Sequence, residues 1–365
     1  MRIDCDVLII GGGPAGLCAA RSLLDTGLKV LILERDPFLG GQLLKQTHMF
    51  FGSKEQYAGT RGFEIGQVLI REVQASPNIT VMMETVASGY YPEENFILAV
   101  EKEKKLYQVF FKKVIVATGA SEKSLLFEGN DLPGIYGAGA VQTLMNMYGV
   151  LPGKDIIMIG SGNIGLIVSY QLLQAGVKVK AILEAAPTVG GYFVHAAKVS
   201  RMGIPIFTQT TVKRALGQNE LEAVEMVSLD SKWQFVPGTE RKWSCDTLCL
   251  AVGLSPMSEL LWQFQCEMRY VSELGGYVAK RNPIMQTTHP DVYIAGDVSG
   301  VEEASSAMLE GTIAGLATAK SLHKMLDSVD QVIQNAQAFL DEMHVGPIGE
   351  KIRNGLAKVE VDQCL

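Results

Sequence analysis

The sequence predicts an α/β protein of two domains, each a parallel sheet flanked by helices, with one domain inserted into the other. Two observations predict it. A cassette of strand, glycine turn, helix, strand and acid occurs twice, as residues 6–36 (DVLIIGGGPAGLCAARSLLDTGLKVLILERD) and 155–185 (DIIMIGSGNIGLIVSYQLLQAGVKVKAILEA). The strand VYIAGD (292–297) then follows the second copy and has no counterpart. An element completing the first domain after the second domain has begun requires insertion.

Each cassette places glycines at G-x-G-x-x-G: Gly11, Gly13 and Gly16, then Gly160, Gly162 and Gly165. Gly11 and Gly160 let the chain leave the strand sharply. Gly13 and Gly162 allow backbone to approach a pyrophosphate, and Gly16 and Gly165 allow the helix to close on the strand. Phosphates then meet N–H groups at the positive end of a helix dipole. Glu34 and Glu184 stand where a carboxylate accepts hydrogen bonds from ribose hydroxyls. An acid there repels a 2′-phosphate, so Glu184 favours NAD over NADP. The bland alternative is a glycine turn without a ligand beside a solvated glutamate. Two complete cassettes imply two Rossmann-like dinucleotide-binding domains of the three-layer ββα type.

The remaining elements repeat too. ITVMMETVASG (79–89) corresponds to IPIFTQTTVKRALG (204–217), and VIVATGA (114–120) to LCLAVGLSP (248–256). The duplication therefore covers whole domains. The expected division is 1–120 with 255–325, an inserted 121–254, and a C-terminal helical tail, 326–365. Within the tail, 327–343 shows an amphipathic pattern with Val329, Val332, Ile333, Ala336, Phe339, Leu340 and Met343 on one face. That face packs on its own chain or on a partner subunit.

Bulk properties exclude several classes. At 365 residues, 47% hydrophobic and 19% charged, the chain is an ordinary globular protein. Net charge −7 without a dense basic run argues against nucleic acid. The apolar windows coincide with the cassettes, whose punctuation explains them better than a membrane span. Asp4 and Asp6 stand where a signal peptide needs positive charge, so the expected location is cytoplasmic. Six cysteines (5, 18, 245, 249, 266 and 364) show no C-x-x-C, zinc or iron–sulfur spacing, so no metal is expected. Most read as buried thiols, with Cys364 exposed and incidental.

Through GGGPAG with Glu34, GGQ (40–42), VIVATGA, GSGNIG with Glu184, LAVGLSP and YIAGD, the chain resembles the two-domain flavoproteins of the pyridine nucleotide-disulfide reductase superfamily. The resemblance implies FAD in the first cassette and NAD(P)H in the inserted one. FAD contacts are then expected from Gly11, Gly13, Pro14, Ala15, Gly16, Glu34, Arg35, Gly41, Gln42, Ala117, Thr118, Gly119, Gly296, Asp297 and Ala304. NAD contacts are expected from Gly160, Gly162, Asn163, Ile164, Gly165, Glu184 and Gly253. Asp297 would meet the ribityl hydroxyls, and the helix after it would direct its dipole at the flavin. The small residues Ala304, Ser305, Ala307, Gly311, Ala314 and Gly315 allow close packing on cofactor, or on a neighbouring helix.

The chain departs from the superfamily where disulfide chemistry would lie. GGQLLKQTHMF (40–50) and VGGYFVHAAK (189–198) hold no cysteine, so disulfide reduction is not expected. Through GGQLLKQTHMFFGS, VGGYFVHAAKVSRMGIPI, ELGGYVAKRNPIMQT and AGDVSGVEEASSAMLEG it is similar to α-type subunits of bacterial sarcosine oxidase, opine oxidase, cyanide synthase and dye-linked proline dehydrogenase complexes. Lys45 and His48, after the GG turn, are candidates for tuning a reduced flavin or meeting a second substrate; both also read as surface loop residues. Tyr192 and His195 are candidates for a nicotinamide channel, with packing as the alternative. Glu302 and Glu303 suit a helix first turn and need no catalytic role. Three functions follow: an NADH-dependent FAD oxidoreductase serving an acceptor or partner protein; a subunit of an amine or amino-acid dehydrogenase complex; or a protein whose nucleotides are structural.

Overall fold

The computed structural model describes residues 1–50, 54, 57–324 and 328–361. Cys364 and part of the FFGS motif lie outside the described residues. The chain forms two compact units, Met1–Ser121 with Ser255–Leu365, and Glu122–Leu254.

The first unit begins with β1 (Arg2–Asp4), β2 (Val7–Ile10), α1 (Pro14–Arg21), β3 (Val30–Leu33), α2 (Gly62–Gln74) and β4 (Ile79–Met82). It continues through β5 (Thr85–Tyr91), β6 (Phe96–Glu101), β7 (Leu106–Phe110) and β8 (Lys113–Val116). The chain passes through β9 (Ala120–Glu122) into the second unit. There it forms β10 (Ile135–Gly137), α3 (Ala138–Tyr148), β11 (Asp155–Ile159), α4 (Asn163–Gln174), β12 (Lys178–Leu183), α5 (Phe193–Arg201) and β13 (Ile206–Phe207). A meander of β14 (Thr210–Leu216), β15 (Ala223–Ser228) and β16 (Arg241–Ser244) precedes β17 (Thr247–Leu250). After β18 (Leu254–Pro256) come α6 (Glu259–Gln263), β19 (Met268–Val271), β20 (Gly276–Ala279), β21 (Val292–Ile294), α7 (Ala304–Ser321), α8 (Val329–Met343) and α9 (Gly346–Leu356).

Both units have the same layers. In the first, a parallel sheet ordered β21-β8-β2-β3-β4 accompanies a second sheet, β1-β7-β6-β5. Strand alternation divides the core. Val7, Ile9, Val30 and Ile32 join the cluster that includes α1 and α7, while Leu8, Ile10, Leu31 and Leu33 join Ile97, Ala99 and Val109 of the second sheet. The inserted unit repeats this with β10-β17-β11-β12-β13 and β14-β15-β16. Ile156 and Met158 join the cluster of Leu166 and Leu172 from α4; Ile157 and Ile159 meet Val212, Val224 and Met226 of the meander. A strand covered on both faces must be apolar at every position, which is why VLII and VLIL are fully buried.

The tail packs on its own chain. Val329, Ile333, Ala336 and Leu340 of α8 are buried in the same cluster as α1 and α7. Val332 is 42% exposed, so it leaves the expected apolar face. Helix α9, within the segment expected to be a helical tail, opens with Pro347 in its first turn, where a missing N–H costs nothing.

Candidate functional site

The two glycine turns are built alike. Gly11 has φ +108°, and a Cβ there would stand 2.3 Å from the Ala117 carbonyl oxygen; Gly160 has φ +96° and would meet the Ala251 oxygen at 2.2 Å. Both positions combine a left-handed backbone with close approach to the neighbouring strand, so only glycine fits. A Cβ on Gly16 would stand 1.9 Å from the Gly11 oxygen, and one on Gly165 2.2 Å from the Gly160 oxygen. The helices therefore start directly against their strands.

The middle glycines differ in kind. A Cβ on Gly13 would meet nothing nearer than Gly41 Cα at 3.9 Å, and one on Gly162 would meet nothing within 4 Å. Both cap their helices in extended conformation, and neither helix start receives a side-chain cap. Pro14 opens α1 at a position that lacks an intrahelical partner anyway. Each turn thus leaves open room before an uncapped helix N-terminus, an arrangement that fits an anionic phosphate group.

The acids lie at the turns. The Glu34 carboxylate accepts hydrogen bonds from the Gly12 N–H (2.7 Å) and the Asp36 N–H (2.8 Å). Burial raises its pKa against these bonds. Glu184 accepts from the Ser161 N–H (2.8 Å), the Ser161 hydroxyl (2.5 Å) and the Ala186 N–H (2.8 Å). The Ser161 hydroxyl also accepts from the Gly190 N–H at 3.0 Å. Ser161 was not singled out from sequence, although its replacement of the corresponding Gly12 was visible there.

A double-glycine turn closes over each loop. The Gly40 N–H donates to the Gly12 oxygen, and the Gly191 N–H to the Ser161 oxygen, both at 2.8 Å. Gly41 approaches Gly13 so closely that a Cβ on it would stand 2.9 Å from Gly13 Cα. The Asn163 side chain accepts from the Tyr192 N–H at 2.8 Å, so it braces the second turn. Ile164 is 40% exposed. After the first turn Gln42 is exposed, Lys45 ends a short 3-10 turn, and the half-buried His48 stacks on Phe50 at 5.9 Å. His195 lies in the first turn of α5 beside Tyr192, and burial, with Lys198 nearby, lowers its pKa.

At the end of β8 the Thr118 hydroxyl donates to the Met257 oxygen (2.8 Å), and the Met257 N–H donates to the Gly119 oxygen. The exposed Arg35 reaches Met257 Sδ at 3.8 Å. In the inserted unit Gly253 has φ +106° and its oxygen accepts the Lys123 N–H.

The turn after β21 rests on residues that sequence reading missed. Glu310, in α7 and 3% exposed, accepts from the Gly296 N–H and the Ser299 hydroxyl, both at 2.7 Å. Arg281 faces the same carboxylate at 3.3 Å. A lone acid within the small, apolar run SSAMLEGTIAG was the available signal. Burial pushes the Asp297 carboxyl up to about 7, with Glu302 and Glu303 adding to the shift. Ala304 is the first residue of α7. Gly311 and Gly315 pack against α1, since a Cβ on each would stand 2.1 Å from the Ala15 oxygen and 2.5 Å from the Ala19 oxygen. For these two the close neighbour is a helix backbone.

Among the described residues, no helix is long and apolar enough to cross a membrane, and no group of three or more His, Cys, Asp or Glu could hold a metal. Cys5, Cys18, Cys245 and Cys249 are free thiols. Burial raises Cys5 and Cys245 to about 12 and Cys18 to about 11.

Comparison with known proteins identifies the family and the fold. The sarcosine oxidase alpha chain of Corynebacterium sp. (strain P-1) is 28% identical, over 87% of this chain and 33% of its own length. An opine oxidase subunit of Rhizobium meliloti (strain 1021) is 26% identical, over 89% of this chain and 73% of its own. The chain thus spans about a third of the length of that sarcosine oxidase subunit. In fold it is similar to L-proline dehydrogenase from P. horikoshii (TM-score 0.68, 23% identity, 92% of this chain and 59% of that one). It is likewise similar to T. acidophilum thioredoxin reductase (TM-score 0.69, 21% identity, 88% and 99%). The family model described as "Pyridine nucleotide-disulphide oxidoreductase" matches residues 5–311, which include both glycine turns and the turn that carries Asp297. That match covers most of the chain and both cassettes: the chain belongs to the pyridine nucleotide-disulphide oxidoreductases.

Proposed function

We propose that the chain is an FAD-dependent oxidoreductase that moves hydride between NADH and flavin and passes the electrons to an acceptor or partner subunit without a redox disulfide. The observation that supports this most is the doubled turn: two uncapped helix starts, each behind a glycine with open room and each beside a fixed glutamate. FAD belongs in the unit of Gly11, Gly13 and Gly16, and NAD in the unit of Gly160, Gly162 and Gly165. When bound, the two nucleotides supply the two-electron chemistry.

The chain's residues bind and orient. Helix N-termini take the phosphates, Glu34 and Glu184 take the ribose hydroxyls, and Asp297 takes a polyol hydroxyl. Glu184 selects NADH because its charge opposes a 2′-phosphate. Lys45 and His48 are assigned to the side of the flavin met by the acceptor. No step uses a thiolate, consistent with buried thiols whose pKa lies far above neutrality.

A second reading is favoured by a specific observation: the relatives named for sarcosine oxidase, opine oxidase and hydrogen cyanide synthase are each named as one subunit of that protein. In that reading the chain is the FAD- and NAD-binding subunit of a heteromeric amine or amino-acid dehydrogenase, and substrate is oxidised elsewhere. Anaerobic titration with NADH and then NADPH, followed by flavin absorbance near ~450 nm, tests the first reading. Bleaching by NADH is expected. Flavin that stays oxidised with both overturns it and leaves the subunit reading, which co-purification of a second flavoprotein chain would support.

A further inference from the structure

We propose that Arg281 and His344 make the C-terminal segment, α8 to residue 361, a positioning element for turn 296–300 and the start of α7, so that this segment controls how firmly the first nucleotide is held. The proposal rests on reading the first cassette as the FAD site.

Two buried side-chain contacts carry it, Arg281 to Glu310 and His344 to Glu302. In the first, Arg281, 2% exposed, links the tail to Glu310, which itself holds Gly296 and Ser299. The Arg281 N–H donates to the Val359 oxygen (3.1 Å), its own oxygen accepts the Val361 N–H (3.0 Å), and its guanidinium reaches Glu360 at 3.5 Å. In the second, His344 Nε2, at the C-terminal end of α8, lies 2.7 Å from Glu302 Oε2. These side chains are only 5% and 7% exposed, and the Glu302 N–H reaches Asp297 Oδ1 at 3.5 Å. The turn is thus tied to Glu310 on one side and, through Glu302, to His344 on the other.

Charge explains why the tail is needed. Asp297, Glu302, Glu303 and Glu310 gather in the turn and along α7, and a helix N-terminus offsets only part of the cost of removing acids from water. Arg281 stands against Glu310, and His344, when protonated, places a positive charge against Glu302. Burial opposes charge on His344, but Glu302, with Glu310 and Asp341 nearby, raises its pKa above the ordinary value. A carboxylate left without its cation would draw water into the turn or swing out, taking the Glu302 N–H away from Asp297.

The test uses the full chain with His344→Gln, and with Glu302→Gln as a second, milder variant. Hydrogen exchange is read over 296–303 in ligand-free protein, together with the FAD dissociation constant. Both variants should speed exchange in 296–303 by about tenfold relative to β2 and α1, and weaken FAD by a similar factor. Lys320→Ala breaks an exposed ion pair with Asp330 that joins the same two helices, and should move neither readout. Unchanged exchange in 296–303 overturns the proposal, as does faster exchange spread evenly over β2, α1 and α7, which would mark general destabilisation. Faster local exchange with unchanged FAD affinity also overturns it. If the native protein takes no FAD, the FAD reading fails and the exchange result alone decides whether the tail holds the turn.

Discussion

The two glycine turns share a backbone and differ in what their second residue supplies. In the inserted unit Ser161 gives Glu184 both an N–H and a hydroxyl, and the same hydroxyl receives the Gly190 N–H. In the first unit Gly12 gives Glu34 only its N–H. A side chain there would have to displace Leu39, because a Cβ on Gly12 would stand 2.3 Å from Leu39 Cδ2. Glycines in one fingerprint thus exist for separate reasons. Gly11, Gly16, Gly160 and Gly165 answer backbone pressing on backbone, which both copies share. Gly12 answers one leucine side chain, which only the first copy has.

The shared part predicts the largest effect. Gly16→Ala and Gly165→Ala each drive a Cβ into a carbonyl oxygen, with no flexible side chain to yield. Overpacking of this kind costs more than about 3 kcal/mol. Loss of soluble protein, or a large fall in the urea midpoint, is expected for both. If either variant unfolds like the native chain, the two turns are not equivalent in what holds them.

Gly13→Val and Gly162→Val separate folding from binding. Neither Cβ has a close neighbour, so the ligand-free stability of both should stay within about 0.5–1 kcal/mol of native. Gly13→Val should purify without flavin. Gly162→Val should keep its flavin but lose reduction by NADH, with affinity falling by about a hundredfold or more. Flavin retained by Gly13→Val, or bleaching by NADH retained in Gly162→Val, would remove the corresponding assignment.

How much of this was legible in the sequence follows from the range of each interaction. The turns were legible because strand, glycines, helix and acid fall within about thirty residues and each has a local steric reason. Insertion was legible because VYIAGD follows the second copy. Glu310 and Arg281 were not, since one charge inside a small-residue helix and another in a loop have no spacing that announces their contact. His344 is likewise far in sequence from Glu302. Val332 misled because the apolar pattern of α8 is wider than the face it buries. Gly311 and Gly315 left cofactor and helix as alternatives, and only the packing on Ala15 and Ala19 decided between them.

Asp297 belongs to the element that the inserted unit lacks, so its effect should appear in one unit only. Its folded pKa is near 7, above the unfolded value of about 3.9. The folded chain therefore keeps the proton between these values. Stability of the ligand-free protein should fall as pH rises from about 4 to about 7, and remain low above that. Asp297→Asn removes the slope. Because the carboxyl is partly accessible, the gain above neutrality should be about 2 kcal/mol, roughly half the full linkage value. The same variant should bind FAD less tightly. Parallel pH–stability curves for variant and native chain would show that burial does not disturb this carboxyl.

Ser161→Ala is the smallest and sharpest change. It removes one hydroxyl and leaves the Gly190 N–H and one lone pair of Glu184 without that partner. A lost hydrogen bond of this type costs about 1 kcal/mol, and somewhat more where the acceptor is charged. Glu184 keeps the N–H bonds from residue 161 and Ala186, so it should loosen rather than leave. NADH should bind several-fold less tightly, and discrimination against NADPH should narrow, because a mobile carboxylate opposes a 2′-phosphate less firmly. Flavin content should not change, since Glu34 never used a side-chain donor from its glycine turn. If Ser161→Ala leaves the NADH to NADPH preference intact, the second turn works by backbone alone. The two copies would then be chemically the same despite the serine.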